Sequence, residues 1–115
     1  MINYDGRVFR PIRTADSGEV DRQTTFRYFQ RGNIVWAEYE GGLIEKGHLI
    51  AVADADGCLE MRYHHINSSG ELMTGVCRST PEMLPDGRVR LLETWRWTSG
   101  DLTSGESVLE EMATG

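Results

Sequence analysis

Glu93, Trp95 and Trp97 stand two residues apart in the run ETWRWTSGDLTSG. A carboxylate in line with two indoles suits a small-molecule pocket, in which flat apolar walls hold a ligand and one charge orients it. The same carboxylate could act as a general base if a tyrosine or His65 stood beside it. Tyr28, Tyr39 and Tyr63 offer further flat surfaces and hydroxyls. The candidate ligand-binding residues are therefore Tyr28, Tyr39, Tyr63, Glu93, Trp95 and Trp97. No catalytic residue is assigned, because no nucleophile motif and no paired-carboxylate spacing is present. Two roles stay open for each. The rings could fill a core, and Glu93 could belong to a structural buried ion pair with an arginine.

These residues need elements that aim them inward. Turn signals recur at short intervals: DSGE at 16–19, RGN at 31–33, GG at 41–42, DADG at 54–57, NSSG at 67–70, PDGR at 85–88 and TSGDLTSG at 98–105. Between them lie runs rich in β-branched and aromatic residues, the mark of an antiparallel sandwich or barrel. The runs predict eight strands, over 7–13, 19–30, 34–40, 43–53, 58–66, 71–79, 87–98 and 105–112. Short connections favour up-and-down order, and eight strands can close into a barrel without exposed edges. The whole, residues 1–115, reads as one domain.

Period two assigns the faces. On 87–98 the odd positions Val89, Leu91, Glu93, Trp95 and Trp97 point to the core, while Arg88, Arg90 and Arg96 point away. This predicts a substantially buried Trp95. A two-residue turn at Gly32-Asn33 puts Phe26 opposite Tyr39, Tyr28 opposite Ala37 and Arg27 opposite Glu38. Phe29 and Trp36 then meet on the outer face, a possible homodimer contact. In the next hairpin Leu59, Met61, Tyr63 and His65 face Leu72, Thr74 and Val76, leaving Arg62 and His64 outside. Gly47 interrupts the alternation of 43–53 and is a candidate bulge.

Composition excludes several classes. The net charge is −6, against the basic face that nucleic acid requires. Apolar residues make up 39% and charged residues 26%, with no run long enough to span a membrane. The N-terminus lacks the apolar core of a signal peptide, so a cytoplasmic location is expected. Pairing centred on Ser68–Ser69 would put Cys77 opposite Glu60, with Cys58 diagonal to it at about 7 Å or more, at or beyond disulfide reach. Two reduced cysteines are expected. With no C-x-x-C and no His/Cys cluster at zinc spacing, neither a metal nor a cofactor is expected.

The segment TWRWTSGD, followed by a short last strand, resembles the W-x-x-T-S-G segment near the C-terminus of the avidin-like barrels. The resemblance implies an all-β, eight-stranded antiparallel up-and-down barrel, avidin-like or lipocalin-like, with a small-ligand pocket at one end. It matches Trp95 to a pocket-wall tryptophan. Ser107 stands where the spacing puts that family's second ligand-capping tryptophan, and no clear equivalent of its pocket aspartate follows, so biotin is not the expected ligand. The chain also resembles a group of small bacterial proteins through GHLI at 47–50, DG at 56–57, MRYH at 61–64, GEL at 70–72, STPE at 79–82, DGR at 86–88 and Trp95–Asp101. These often carry the name N-acetylglutamate synthase, which implies an acetyl-CoA-dependent transferase. The residues contain no R/Q-x-x-G-x-A loop opening a helix to cradle a pyrophosphate.

Three functions follow as expectations: a barrel that binds a small-molecule ligand, an enzyme using Glu93, and a dimerising interaction module without a ligand. An eight-stranded barrel is just wide enough to be filled by its side chains or to hold one small ligand.

Overall fold

Alternating apolar and polar residues build eight strands in the computed structural model, which describes residues 2–113. They are β1 (Val8–Arg13), β2 (Thr25–Arg31), β3 (Ile34–Gly41), β4 (Ile44–Ala53), β5 (Leu59–Asn67), β6 (Leu72–Met83), β7 (Val89–Trp97) and β8 (Ser104–Glu111). Each pairs antiparallel with its sequence neighbour, and β8 returns to pair with β1. The result is the closed up-and-down barrel that the turn spacing predicts. Closure leaves no strand edge to template association. No helix among the described residues is long and apolar enough to cross a membrane.

The Gly32-Asn33 turn sets the β2–β3 register as expected. Gly32 adopts a φ of 60°, and Phe26 pairs with Tyr39, Arg27 with Glu38 and Phe29 with Trp36. Inward side chains of β3 are buried and outward ones are not. On β7 Val89, Leu91, Glu93 and Trp97 are buried and Arg96 is exposed. Trp95 is partly buried, packed against the core, and lines a cavity at one end of the barrel.

Three expectations need correction. The second strand starts at Thr25, not at 19. The segment EVDRQT at 19–24 has a single apolar residue and no period-two stripe, so nothing draws it into the wall. Cys77 pairs with Met61, not Glu60, because the β5–β6 connection closes on Ile66 and Leu72 around five residues. Asn67 organises that turn, its Oδ1 accepting from the amides of Ser69 (3.1 Å) and Glu71 (2.9 Å). A one-residue slip exchanges the faces of a strand. Gly75, Cys77 and Ser79 are therefore buried inside, and Thr74 and Val76 belong to the outer face. Cys58 lies farther from Cys77 than expected, and both are free. Finally, the register shift in β4 falls between Ile44 and Lys46, while Gly47 itself pairs regularly with Tyr39 and His65.

One end of the barrel is plugged. Tyr4, Phe9 and Tyr28 pack there with ring centroids 5.9 Å (Tyr4–Tyr28) and 5.1 Å (Phe9–Tyr28) apart. The Tyr4 hydroxyl donates to the Gly57 carbonyl at 2.5 Å and ties the N-terminal segment across this end. Outside, Phe29 and Trp36 stack at 5.8 Å. Trp36 pairs in turn with Ile50, and Ile34 with Val52, so the apolar row continues across β4.

Candidate functional site

The opposite end carries the turns at 41–43, 67–71 and 98–103 and the long β1–β2 connection, residues 14–24. Here the inward side chains form layers. Ser79, Glu93 and Ser107 lie side by side across β6, β7 and β8. Cys77, Trp95 and Gly105 form the next layer toward the mouth, followed by Tyr63, Gly75 and Trp97. A cavity of 60 Å³ opens above Glu93, walled by Phe26, Tyr39, Tyr63, Trp95 and Trp97.

The cavity exists because glycines face the aromatics. Tyr39 pairs with Gly47, Tyr63 with Gly75 and Trp95 with Gly105, one such pair in each of the three hairpins at this end. Each ring lies where its glycine's side chain would be. A Cβ on Gly105 would fall 2.6 Å from the Trp95 ring, and Cβ atoms on Gly47 and Gly75 would collide with Tyr39 and Tyr63. Rings that lie against the wall leave the lumen open. Packing of this kind also offsets the missing side chain of a strand glycine.

The 14–24 connection covers the mouth. Thr14, Ala15, Gly18, Glu19 and Val20 line the cavity from above. The Trp97 indole N–H donates to the Ser17 carbonyl at 3.0 Å. Glu19 reaches in and places one carboxylate oxygen 2.7 Å from His65 Nε2 and the other 2.8 Å from Asn67 Nδ2. With Nε2–H donating to Glu19, His65 Nδ1 is left to accept from the Tyr39 hydroxyl at 3.0 Å. The far end of the cover is anchored by the Thr24 hydroxyl, which donates to the Gly41 carbonyl at 3.1 Å.

Glu93 is 9% exposed. It accepts from the Ser79 hydroxyl at 2.6 Å and from the Ser107 hydroxyl at 3.5 Å. Burial raises its carboxyl from the ordinary 4.5 to about 7, against the lowering effect of the Ser79, Ser107 and Cys77 hydrogen bonds. Among the described residues it makes no ion pair, so the arginine partner considered from sequence is not there; hydroxyls take that place. Burial also pushes the Cys77 thiol and the Tyr39 and Tyr63 phenols up, and holds the His65 imidazole below its usual value despite Glu19. Near neutral pH the site therefore holds protonated tyrosines, a protonated thiol, a neutral imidazole and one carboxyl close to its midpoint.

Of the sequence candidates, Tyr39, Tyr63, Glu93, Trp95 and Trp97 meet at the cavity. Tyr28 does not line it. It is 1% exposed, packed between Tyr4 and Phe9 at the plugged end, and its hydroxyl has no hydrogen-bond partner among the described residues. Two residues apart on β2, Phe26 and Tyr28 point inward in different layers. Glu19, Ser79 and Phe26 are site residues that the sequence reading did not single out. The available signal for Glu19 was the lack of a strand pattern across 19–24. His65 is at the mouth, but its partners are Glu19 and Tyr39 rather than Glu93. No group of three or more His, Cys, Asp or Glu among the described residues could hold a metal ion.

Fold and cavity together define a closed eight-stranded β-barrel with an aromatic-walled cavity at one end. A family model described as avidin-like protein matches residues 2–112, and the chain belongs to the avidin-like family. No curated protein and no solved structure matches it. The N-acetylglutamate synthase name finds no support in these comparisons, nor in a barrel whose described residues include no helix to cradle a pyrophosphate.

Proposed function

We propose that this protein binds a small ligand inside the barrel, between the aromatic walls and the Glu93 layer, beneath the 14–24 cover. The observation that carries the reading is the aromatic–glycine pairing, which keeps a lumen open where large side chains could have filled it. Chemistry beyond binding has less support. The thiol is held protonated and lies against the carboxylate layer, and the imidazole is committed to Glu19 and Tyr39. Native mass spectrometry of the protein purified from its source tests the reading. Wild type is expected to carry a small-molecule adduct that Ser107→Leu, which fills the cavity, does not. No adduct on wild type, or the same adduct on both, would refute it.

A second reading, compatible with the first, is self-association of two copies through the outer face of β2–β4. Ile34, Ile50 and Val52 are 39%, 55% and 56% exposed beside the Phe29–Trp36 stack. The surrounding Arg27–Glu40 and Arg62–Glu60 pairs carry both signs, which suits a face that must complement itself across a two-fold axis. Light scattering should give a dimer mass for wild type and a monomer for Trp36→Lys; a monomeric wild type refutes it.

A further inference from the structure

We propose that the cavity selects a small organic cation, an alkylammonium of about five heavy atoms, with its charge against Glu93 and its methylenes against the rings. This rests on the reading of the cavity as a ligand site and adds the chemical class of the ligand.

The lining is one-sided in charge. Glu93 forms the floor and Glu19 hangs from the cover, and among the described residues no Lys or Arg lines the cavity. Glu93 is held by two hydroxyls, which orient the carboxylate without neutralising it. A ligand ammonium would supply the missing counter-charge in a site already shielded from water, where such an attraction is strong. A ligand carboxylate would meet like charge there. A neutral alcohol could hydrogen-bond but would leave the ionised carboxylate uncompensated.

The walls agree with the floor. Trp95 and Trp97 stand 5.7 Å apart at 63°, and Tyr63 meets Trp97 at 5.7 Å and 68°. Rings set at such angles present more than one π face to the alkyl chain, whose methylene next to the nitrogen carries part of the positive charge. Ring faces attract cations and leave anions without a donor. The net charge of −6 adds a field that raises the local concentration of cations. Size limits the ligand. A water needs about 10–15 Å³ and benzene occupies an engineered cavity of about 150 Å³, so a 60 Å³ cavity suits a short, slender molecule.

Three probes of matched length decide the matter: n-butylammonium, 1-butanol and butyrate, titrated at about pH 8, where Glu93 is ionised. Trp95 and Trp97 line the cavity and report binding by fluorescence, with calorimetry as the second readout. Butylammonium is expected to bind at least about tenfold tighter than butanol, and butyrate weakest. In Glu93→Gln, whose urea midpoint verifies folding, that preference should shrink to about threefold or less. Butanol binding as tightly as butylammonium overturns the proposal and leaves the cavity reading in place. An undiminished cation preference in Glu93→Gln overturns the role given to Glu93. No binding of any probe overturns the cation proposal, whereas the source-ligand experiment above independently decides the cavity reading. If Glu93→Gln fails to fold, the three-probe comparison on wild type still decides the ligand class.

Discussion

Replacing Glu93 by Gln should make the protein more stable at alkaline pH and leave it nearly unchanged at acid pH. Gln has the shape of the neutral acid and can keep hydrogen bonds to Ser79 and Ser107. The carboxyl of the folded protein lies near 7, raised by burial from 4.5. A raised carboxyl favours folding in its protonated form. That contribution is fully present below about 4.5 and is lost as pH rises through about 7. At about 1.4 kcal/mol per pKa unit, the ionised group costs the folded state about 3 kcal/mol once pH exceeds 7. The variant escapes this cost. Urea unfolding of the dialysed proteins at pH 5, 6, 7 and 8 should show the stability gap, variant over wild type, widening by about 2.5 kcal/mol from pH 5 to pH 8. Other carboxylates and His65 titrate in both proteins and cancel in the difference. A gap that does not change with pH would show that burial has not raised this carboxyl. A variant about 3–5 kcal/mol less stable at every pH would mean that the charge holds a buried cationic partner, and the site would have to be rebuilt around an ion pair.

The remaining predictions probe the walls, the plug and the cover. Trp97→Ala should cost about 3–5 kcal/mol, as for a buried ring, half-buried Trp95→Ala less than that, and Arg96→Ala within about 0.5 kcal/mol; equal losses in urea melts for all three would contradict the strand's faces. Tyr28→Phe removes a buried hydroxyl that has no hydrogen-bond partner among the described residues and should raise stability by about 1 kcal/mol without changing affinity for any cavity ligand. A loss of affinity would place Tyr28 in the site after all. Glu19→Ala releases the cover from His65 and Asn67, so amide hydrogen exchange across 14–24 should quicken at least about tenfold while β3–β6 stay protected. Unchanged exchange would mean that the Trp97–Ser17 and Thr24–Gly41 bonds hold the cover by themselves.

The wall of the barrel was legible because it obeys local rules. Period two on β7 put Glu93 and Trp97 inside, and Gly32-Asn33 set the β2–β3 register to the residue. The β5–β6 register was misread because the turn there is not a two-residue one. Asn67 takes both the Ser69 and Glu71 amides, which lengthens the loop and moves β6 by one position. Which loop residues a side chain will bond is a weaker signal than an alternating stripe, yet it decides the face of every residue that follows.

The site was less legible than the wall because its defining contacts are not local. Glu19 meets His65 across 46 residues, and Trp97 meets Ser17 across 80. A polar connection of this kind looks like any surface loop until the barrel closes beneath it. Tyr28 and Tyr39 looked equivalent for a related reason: alternation tells inside from outside, but not depth along the barrel. Depth is set by stagger between strands, and stagger put Tyr28 in the plug and Tyr39 at the mouth. One depth signal emerges once the strand registers are known. Tyr39, Tyr63 and Trp95 each precede, across a hairpin, a glycine that the register places opposite: Gly47, Gly75 and Gly105. A ring that occupies the side-chain space of its glycine lies against the wall and not across the lumen. Three such pairs at the same end of one barrel are better explained by a lumen that has to stay open.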